Sequence, residues 1–276
     1  YRQSTLLDCC RYPSFEFIRG DVRDRSVLAP LVAKCDAIFP LACLVGAPLC
    51  ERNPVGARTI NLEAVSLILK MRSPSQPVIF PMTNSGYGIG ESGISCTEDT
   101  PLRPVSLYGQ LKVEAEKVLL DAGEAITLRF ATAFGASPRM RLDLLVNDFV
   151  YRAVTDGFVV LFEANFKRNY LHVSDAGRAF IHCLRNFEKM KDQPYNVGLS
   201  SANLSKLELC KEIEKQIPGF VYLESEVGED KDKRNYIVSN ARIEATGFKP
   251  KVSLQDGIRE LISAFQIIRK DQYSNV

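Results

Sequence analysis

Tyr108 and Lys112, a phenol and an ammonium four residues apart, lie in the stretch PVSLYGQLKVEAEKVLL (104–120), whose other periodic positions are Leu111, Ala115, Val118 and Leu119. On a helix this spacing places both side chains on one face, where the ammonium lowers the pKa of the phenol and favours phenolate. A Tyr held this way is a general base or acid for a substrate hydroxyl. Taken alone, the pair equally describes a Tyr packed on the stem of a Lys. Its weight comes from PMTNSGYG (81–88), which closes an apolar strand and offers Thr83 as a second hydroxyl to share the hydrogen bond.

The elements that must position these groups are legible as an alternation. Apolar runs that read as strands lie at 15–20 (FEFIRG), 36–42 (DAIFPLA), 77–83, 125–131, 158–163 and 169–173; helical patterns lie at 24–35, 48–71, 141–157 and around Tyr108. Apolar strands alternating with helices predict a doubly wound, Rossmann-like α/β fold whose parallel sheet is covered on both faces and binds ligands at the carboxyl ends of its strands. After about residue 185 the alternation lapses. SANLSKLELCKEIEKQIPG is a capped amphipathic helix, FVYLESE a strand, VSLQDGIRELISAFQIIRK a closing helix and 226–235 a polar loop, together a smaller α+β lobe. The expected division is 1–136 with 164–186 for the nucleotide domain, and 137–163 with 187–276 for the substrate lobe.

Composition narrows the partners. A chain of 276 residues, 46% of them hydrophobic, can bury a large core. Lys plus Arg of 35 against Asp plus Glu of 33, with no basic block, gives no sign of nucleic-acid binding. No run approaches the roughly 18 apolar residues that span a bilayer, and no signal peptide opens the chain, so no membrane partner and a cytoplasmic location are expected. Eight cysteines without a C-x-x-C pair, and only two His, argue for reduced thiols and for no metal site.

Eight motifs, in order, resemble the extended short-chain dehydrogenase/reductase family in its nucleotide-sugar epimerase/dehydratase branch: RGDVRD (19–24), FPLACLVG (39–46), NLEAV (61–65), FPMTNSGYG (80–88), YGQLK (108–112), LRFATAFG (128–135), KRNYLHVSDAGRAF (167–180) and RNYIVSNARIEATGFKPKVSLQDGI (234–258). The resemblance implies NAD as cofactor, with NADP open, a nucleotide-diphosphate sugar as substrate, and a homodimer packed through helices bearing Leu62, Val65, Leu69, Val113 and Leu120. It makes Thr83, Tyr108 and Lys112 the catalytic Ser/Thr, Tyr and Lys, all three also touching the cofactor. Asp21 and Val22 would meet the adenine, Leu41, Ala42 and Cys43 the pyrophosphate and ribose, Asn61 the cofactor from the next helix, and Ala131 and Ala133 the nicotinamide. Ser85, Thr132, Asn147, Arg168 and Arg234 would face the sugar nucleotide, the two Arg suiting a diphosphate.

Plainer roles stand beside these. Asp21 could cap the helix near Asp24, Arg168 and Arg234 could be surface charges, His172 a structural histidine, and Cys43 merely a small residue. The chain departs from the family in Pro40, where many relatives carry His, and in Thr132, where Asn is usual. It also opens without the first strand, the glycine-rich turn, its helix and the second strand, from which poor dinucleotide binding by this polypeptide is expected.

The family's chemistries part at the residues after the catalytic Thr. Dehydratases resemble one another in carboxylates there, decarboxylases in a Glu two residues on, and 3,5-epimerases in a Cys at that second place. Asn84 and Ser85 supply none of these. The reading is therefore epimerisation at C4 through a transient 4-keto sugar, with a reductase, dehydrogenase or dehydratase, or a silent binding protein of the same fold, as the alternatives.

Overall fold

The computed structural model describes residues 3–91, 93–225 and 235–268. After a 3-10 segment at Gln3–Arg11 the chain runs through 15–20 without regular structure and enters α1 (Arg25–Val32), capped by Asp24, whose carboxylate accepts from the Ser26 N–H at 2.8 Å. Helices α2 (Ala47–Arg52), α3 (Pro54–Arg58) and α4 (Ala64–Met71) follow, α3 and α4 being joined by a π turn. Next come β1 (Val78–Thr83), a 3-10 turn at Asn84–Tyr87, the short β2 (Ser95–Cys96), α5 (Leu107–Ala122), β3 (Ala125–Phe130), β4 (Thr132–Phe134) and α6 (Leu145–Thr155). The rest is β5 (Phe158–Leu161), β6 (Lys167–His172), α7 (Val173–Arg185), α8 (Phe187–Met190), β7 (Gln193–Val197), β8 (Asn203–Ser205), α9 (Lys206–Glu214), β9 (Val221–Glu224), β10 (Ile237–Val238), α10 (Ala241–Ala245) and α11 (Leu254–Phe265).

β1, β3 and β7 pair in parallel, in the order β1-β3-β7, with Val78 opposite Ala125 and Ile126 opposite Gln193. Successive residues of a strand face opposite sides. Ile79 accordingly joins Ile126, Leu128, Ala179 and Cys183 beneath α7, while Phe80 joins Leu111, Ala115, Leu119 and Val65 beneath α4 and α5. The sheet is covered on both faces, the α/β arrangement expected from sequence. A third core, with Val146, Phe149, Leu209, Ile213, Leu261 and Phe265, packs α6, α9 and α11 into the smaller lobe. Asp175 ties that lobe to α7: fully buried, it accepts from the N–H groups of Lys251 and Val252.

Three expectations need correction. Residues 15–20 do not form a strand; they pair with nothing among the described residues, and Phe15, Phe17 and Ile18 stay exposed, because an extended run becomes a strand only beside a partner. Residues 36–42 make a single bridge, Ile38 to Val78. Ile79 donates to the Ile38 carbonyl, so the odd residues of β1 donate toward this segment, while Ile38 donates back to Pro77. The next donors in register on the two sides fall at Pro81 and Pro40, neither of which has an N–H, and the ladder stops. Finally, residues 193–197, assigned from sequence to the smaller lobe, form the third strand of the main sheet.

Of the residues proposed for a dimer face, Leu62 and Val65 are spent in the core beneath α4 and α5, while Leu69 and Val113 are partly buried against it. No described helix is long and apolar enough to cross a membrane, and no group of three metal-ligating side chains occurs among the described residues.

Candidate active site

The site begins where β1 ends. Thr83 caps the 3-10 turn: its Oγ1 accepts from the Ser85 N–H at 3.1 Å and donates to Ser85 Oγ at 3.0 Å. Asn84 and Ser85 are both buried here. Helix α5 starts against this turn, with Ser106 accepting from the Gly109 N–H at 3.2 Å. Two glycines make the approach possible. A Cβ on Gly109, the residue after Tyr108, would lie 2.9 Å from Pro104 Cβ and 3.4 Å from the Ser85 carbonyl oxygen; one on Gly86 would lie 2.8 Å from the Met82 methyl and 3.3 Å from a Val113 methyl on α5. The helix bearing the phenol therefore rests directly on the turn bearing the two hydroxyls.

Tyr108 is half-buried at the head of α5, and Lys112 one turn later is only 3% exposed. Lys112 forms no hydrogen bond or ion pair among the described residues; its Nζ sits 3.6 Å from the centroid of the Phe80 ring on β1. Burial pulls its pKa down from 10.5 to about 8, against the opposing pull of Cys43 and Glu116. One further turn along, Glu116 is buried and fully engaged. It accepts from Arg129 Nε and Nη2, at 3.1 and 2.7 Å, and from Thr127 Oγ1 at 2.7 Å. Arg129 also donates to Tyr87 Oη and to the Glu98 carbonyl, so the wall behind the site is one polar network. Glu116 stands at the same spacing from Lys112 as Lys112 from Tyr108, a signal present in the sequence and unread there; Phe80 carried no such signal.

Leu41 and Ala42 are exposed and Cys43 half-buried in the loop that leaves the sheet at Pro40. Burial raises the Cys43 thiol above its usual pKa, with the charge of Lys112 acting the other way. Asn61 works through that loop: its Oδ1 accepts from the Leu44 N–H at 2.8 Å and its Nδ2 donates to the Leu44 carbonyl at 3.0 Å. Its amide holds the loop rather than reaching out of it. Asp21 is exposed and chelates the Arg23 guanidinium at 2.9 and 2.6 Å, which holds its carboxyl down at about 2; Val22 beside it is half-buried, and helix capping belongs to Asp24.

Ala131 is buried at the crossing from β3 to β4, and Thr132 and Ala133 are half-buried on β4. Arg168 is buried on the adjacent β6, over the Tyr236 ring at 5.6 Å, which excludes a solvated surface charge. Asn147 spends its amide on backbone, accepting from Gly135 N–H and donating to the Arg141 carbonyl. His172 caps α7 and lies 2.9 Å from Glu260, a structural placement. Arg234 lies outside the described residues.

A buried ammonium with no acceptor among the described residues, beside a half-buried phenol and a hydroxyl pair at a strand's carboxyl end, suits the ribose hydroxyls of a dinucleotide and a substrate alcohol. Residues 2–198 match the model of the NAD dependent epimerase/dehydratase family. The low-salt glycan biosynthesis protein Agl12 of Haloferax volcanii is 26% identical over 92% of this chain and 83% of its own. UDP-glucose 4-epimerase of Lactobacillus helveticus is 26% identical over 73% of this chain and 69% of its own. The dTDP-glucose 4,6-dehydratase of Bacillus anthracis, solved in complex with NAD, superposes with a TM-score of 0.79 at 18% identity, over 96% of this chain and 84% of that one. Epimerase and dehydratase stand together among these likenesses.

Proposed function

Because the chain belongs to the NAD dependent epimerase/dehydratase family, we propose that it is a nucleotide-sugar epimerase acting at C4 of the hexose. In this reading Tyr108 Oη takes the proton of the sugar C4 hydroxyl, and Thr83 Oγ1, oriented by Ser85, holds the same hydroxyl in line. Lys112 donates to the nicotinamide ribose and, one turn from Tyr108, favours the phenolate. The cofactor, when bound, supplies a reversible hydride acceptor, NAD in this reading. Leu41, Ala42 and Cys43, on the loop fixed by Asn61, would flank it; Ala131 and Ala133 would pass beside its reactive ring, and Asp21 and Val22 would meet its adenine. Thr132 and Arg168 would face the sugar and its diphosphate, with Asn147 shaping the loop between them, Arg234 supplying a second guanidinium, and two copies of the chain forming a dimer.

The observation that carries the choice of reaction is the turn after β1. Its hydroxyl pair, Thr83 to Ser85 at 3.0 Å, occupies the place from which an acid would act, and the intervening Asn84 is a neutral amide. Elimination of water needs a proton donor for the leaving hydroxyl; reducing a 4-keto sugar that has turned over, with hydride from the reduced cofactor, needs no acid beyond Tyr108 and Thr83. The test is incubation with UDP- and dTDP-hexoses and catalytic NAD, followed by proton NMR and mass spectrometry. A C4 epimer of unchanged mass, with no net NADH, is expected. A product lighter by one water, or NADH accumulating in step with product, would defeat the epimerase reading.

A further inference from the structure

We propose that Phe80 is a positioning residue for the active-site ammonium: the face of its ring, presented by β1, is the seat that holds Lys112 Nζ in place and keeps it protonated. This rests on the role given above to Lys112, and its test reads the amine itself.

A buried ammonium needs something negative to replace water, and in proteins that is almost always a carboxylate or a set of carbonyls. Among the described residues Lys112 has neither; its nearest recorded contact is the ring, at 3.6 Å from the centroid. The groups that face it from the surrounding elements are few. They are the Cys43 thiol from the loop after Pro40, Phe80 from β1, and Tyr108 and Glu116 from α5 itself, one turn to either side. Cys43 is held protonated by its burial and offers no full charge. Both carboxylate oxygens of Glu116 are claimed by Arg129 and one also by Thr127, so it gives Lys112 no hydrogen bond, although its charge still favours the ammonium.

The negative face of the Phe80 π-system lies directly against the amine and adds to these charges. The ring is well placed to be a fixed seat. Phe80 is 1% exposed, on β1, packed among Leu111, Ala115 and Leu119, so it cannot swing away from the amine. The strand's alternation also fixes the choice of residue. Phe80 faces α5 and Ile79 faces α7, so an aromatic one position earlier would never meet the amine.

The test replaces Phe80 in the full-length chain by 4-fluoro-, 3,5-difluoro- and 3,4,5-trifluorophenylalanine, which drain the ring face while keeping its shape, alongside Phe80→Leu. The Lys112 pKa is read from the pH dependence of acetylation by acetic anhydride, followed by peptide mass spectrometry. A stepwise fall across the series is expected, reaching about one pH unit, or tenfold in proton affinity, in the trifluoro form. The alkaline limb of turnover should move to lower pH in the same order. An amine pKa that stays flat across the fluorinated series would overturn the proposal. Failure of the Lys112 role itself would look different: Lys112→Met would keep its turnover, while in the fluorinated forms that retain Lys112 the amine pKa would still fall.

Discussion

Lys112 and Arg129 are two buried cations in the same wall, and the protein treats them in opposite ways. Arg129 is clamped by Glu116, Tyr87 and the Glu98 carbonyl, and these partners hold its pKa above even the usual guanidinium value despite its burial. Lys112, one turn of α5 from that same Glu116, has no hydrogen-bond partner among the described residues, an aromatic face beside it and a pKa drawn down to about 8. The difference separates two uses of buried charge. A cation clamped on every nitrogen fastens β3 to α5 and has little left to offer a ligand. One whose donors are unspent costs the fold stability and keeps them for what enters the site.

The contrast can be broken most sharply by activity. Tyr108→Phe, which removes the proton acceptor and leaves α5 intact, should cut turnover by about 10²–10⁴-fold with no loss of melting temperature; near-normal turnover would remove the chemical side of the comparison. Next in size, Arg129→Met strands the Glu116 carboxylate and should cost about 3–5 kcal/mol in urea unfolding. Lys112→Met, by contrast, should leave stability at neutral pH unchanged or higher. Equal losses in the two variants would erase the distinction.

A pH series sharpens it further. The folded pKa of Lys112 lies below its unfolded value, so the cost of burying the charge is fully present below about pH 8. As pH rises from 8 toward 10.5 the folded protein sheds this proton before the unfolded chain does, and stability rises. The difference between wild type and Lys112→Met, which cancels other titrations, should change by about 3 kcal/mol across that window. The smallest effect concerns a neutral group of the clamped kind: Asn61→Leu strands the Leu44 N–H and carbonyl and should cost about 1–3 kcal/mol, with weaker cofactor retention because the loop it holds is loosened.

How much of this could be seen in the sequence follows the range of each interaction. Tyr108 and Lys112 were legible because both lie on one helix, where spacing fixes geometry, and Glu116 was legible for the same reason had the count been carried one turn further. Thr83 was placed by the strand before it. Phe80 was out of reach, since its role depends on which face of β1 meets which helix. Asn61 and Asn147 read as ligand contacts because an exposed amide and one bonded to a distant backbone look the same in one dimension. Residues 15–20 have every strand preference and still need a neighbour. Pro81 and Pro40 were a readable warning against a long ladder beside β1, whereas QPYNV, short and polar with its own proline, carried little sign that it would pair with β3 in the main sheet.

Those two prolines have a consequence for how the site is kept open. Neighbouring strands zip together for as long as donors meet acceptors, and a mouth between them ordinarily has to be wedged by bulk. Here the zipper lacks two teeth that fall against each other, so the chain is released at Pro40 into the loop of Leu41, Ala42 and Cys43, which Asn61 then holds. A gap made by missing protons cannot collapse when a rotamer flips. The entrance is expected to hold the same width empty or filled, leaving less to be ordered when a ligand arrives.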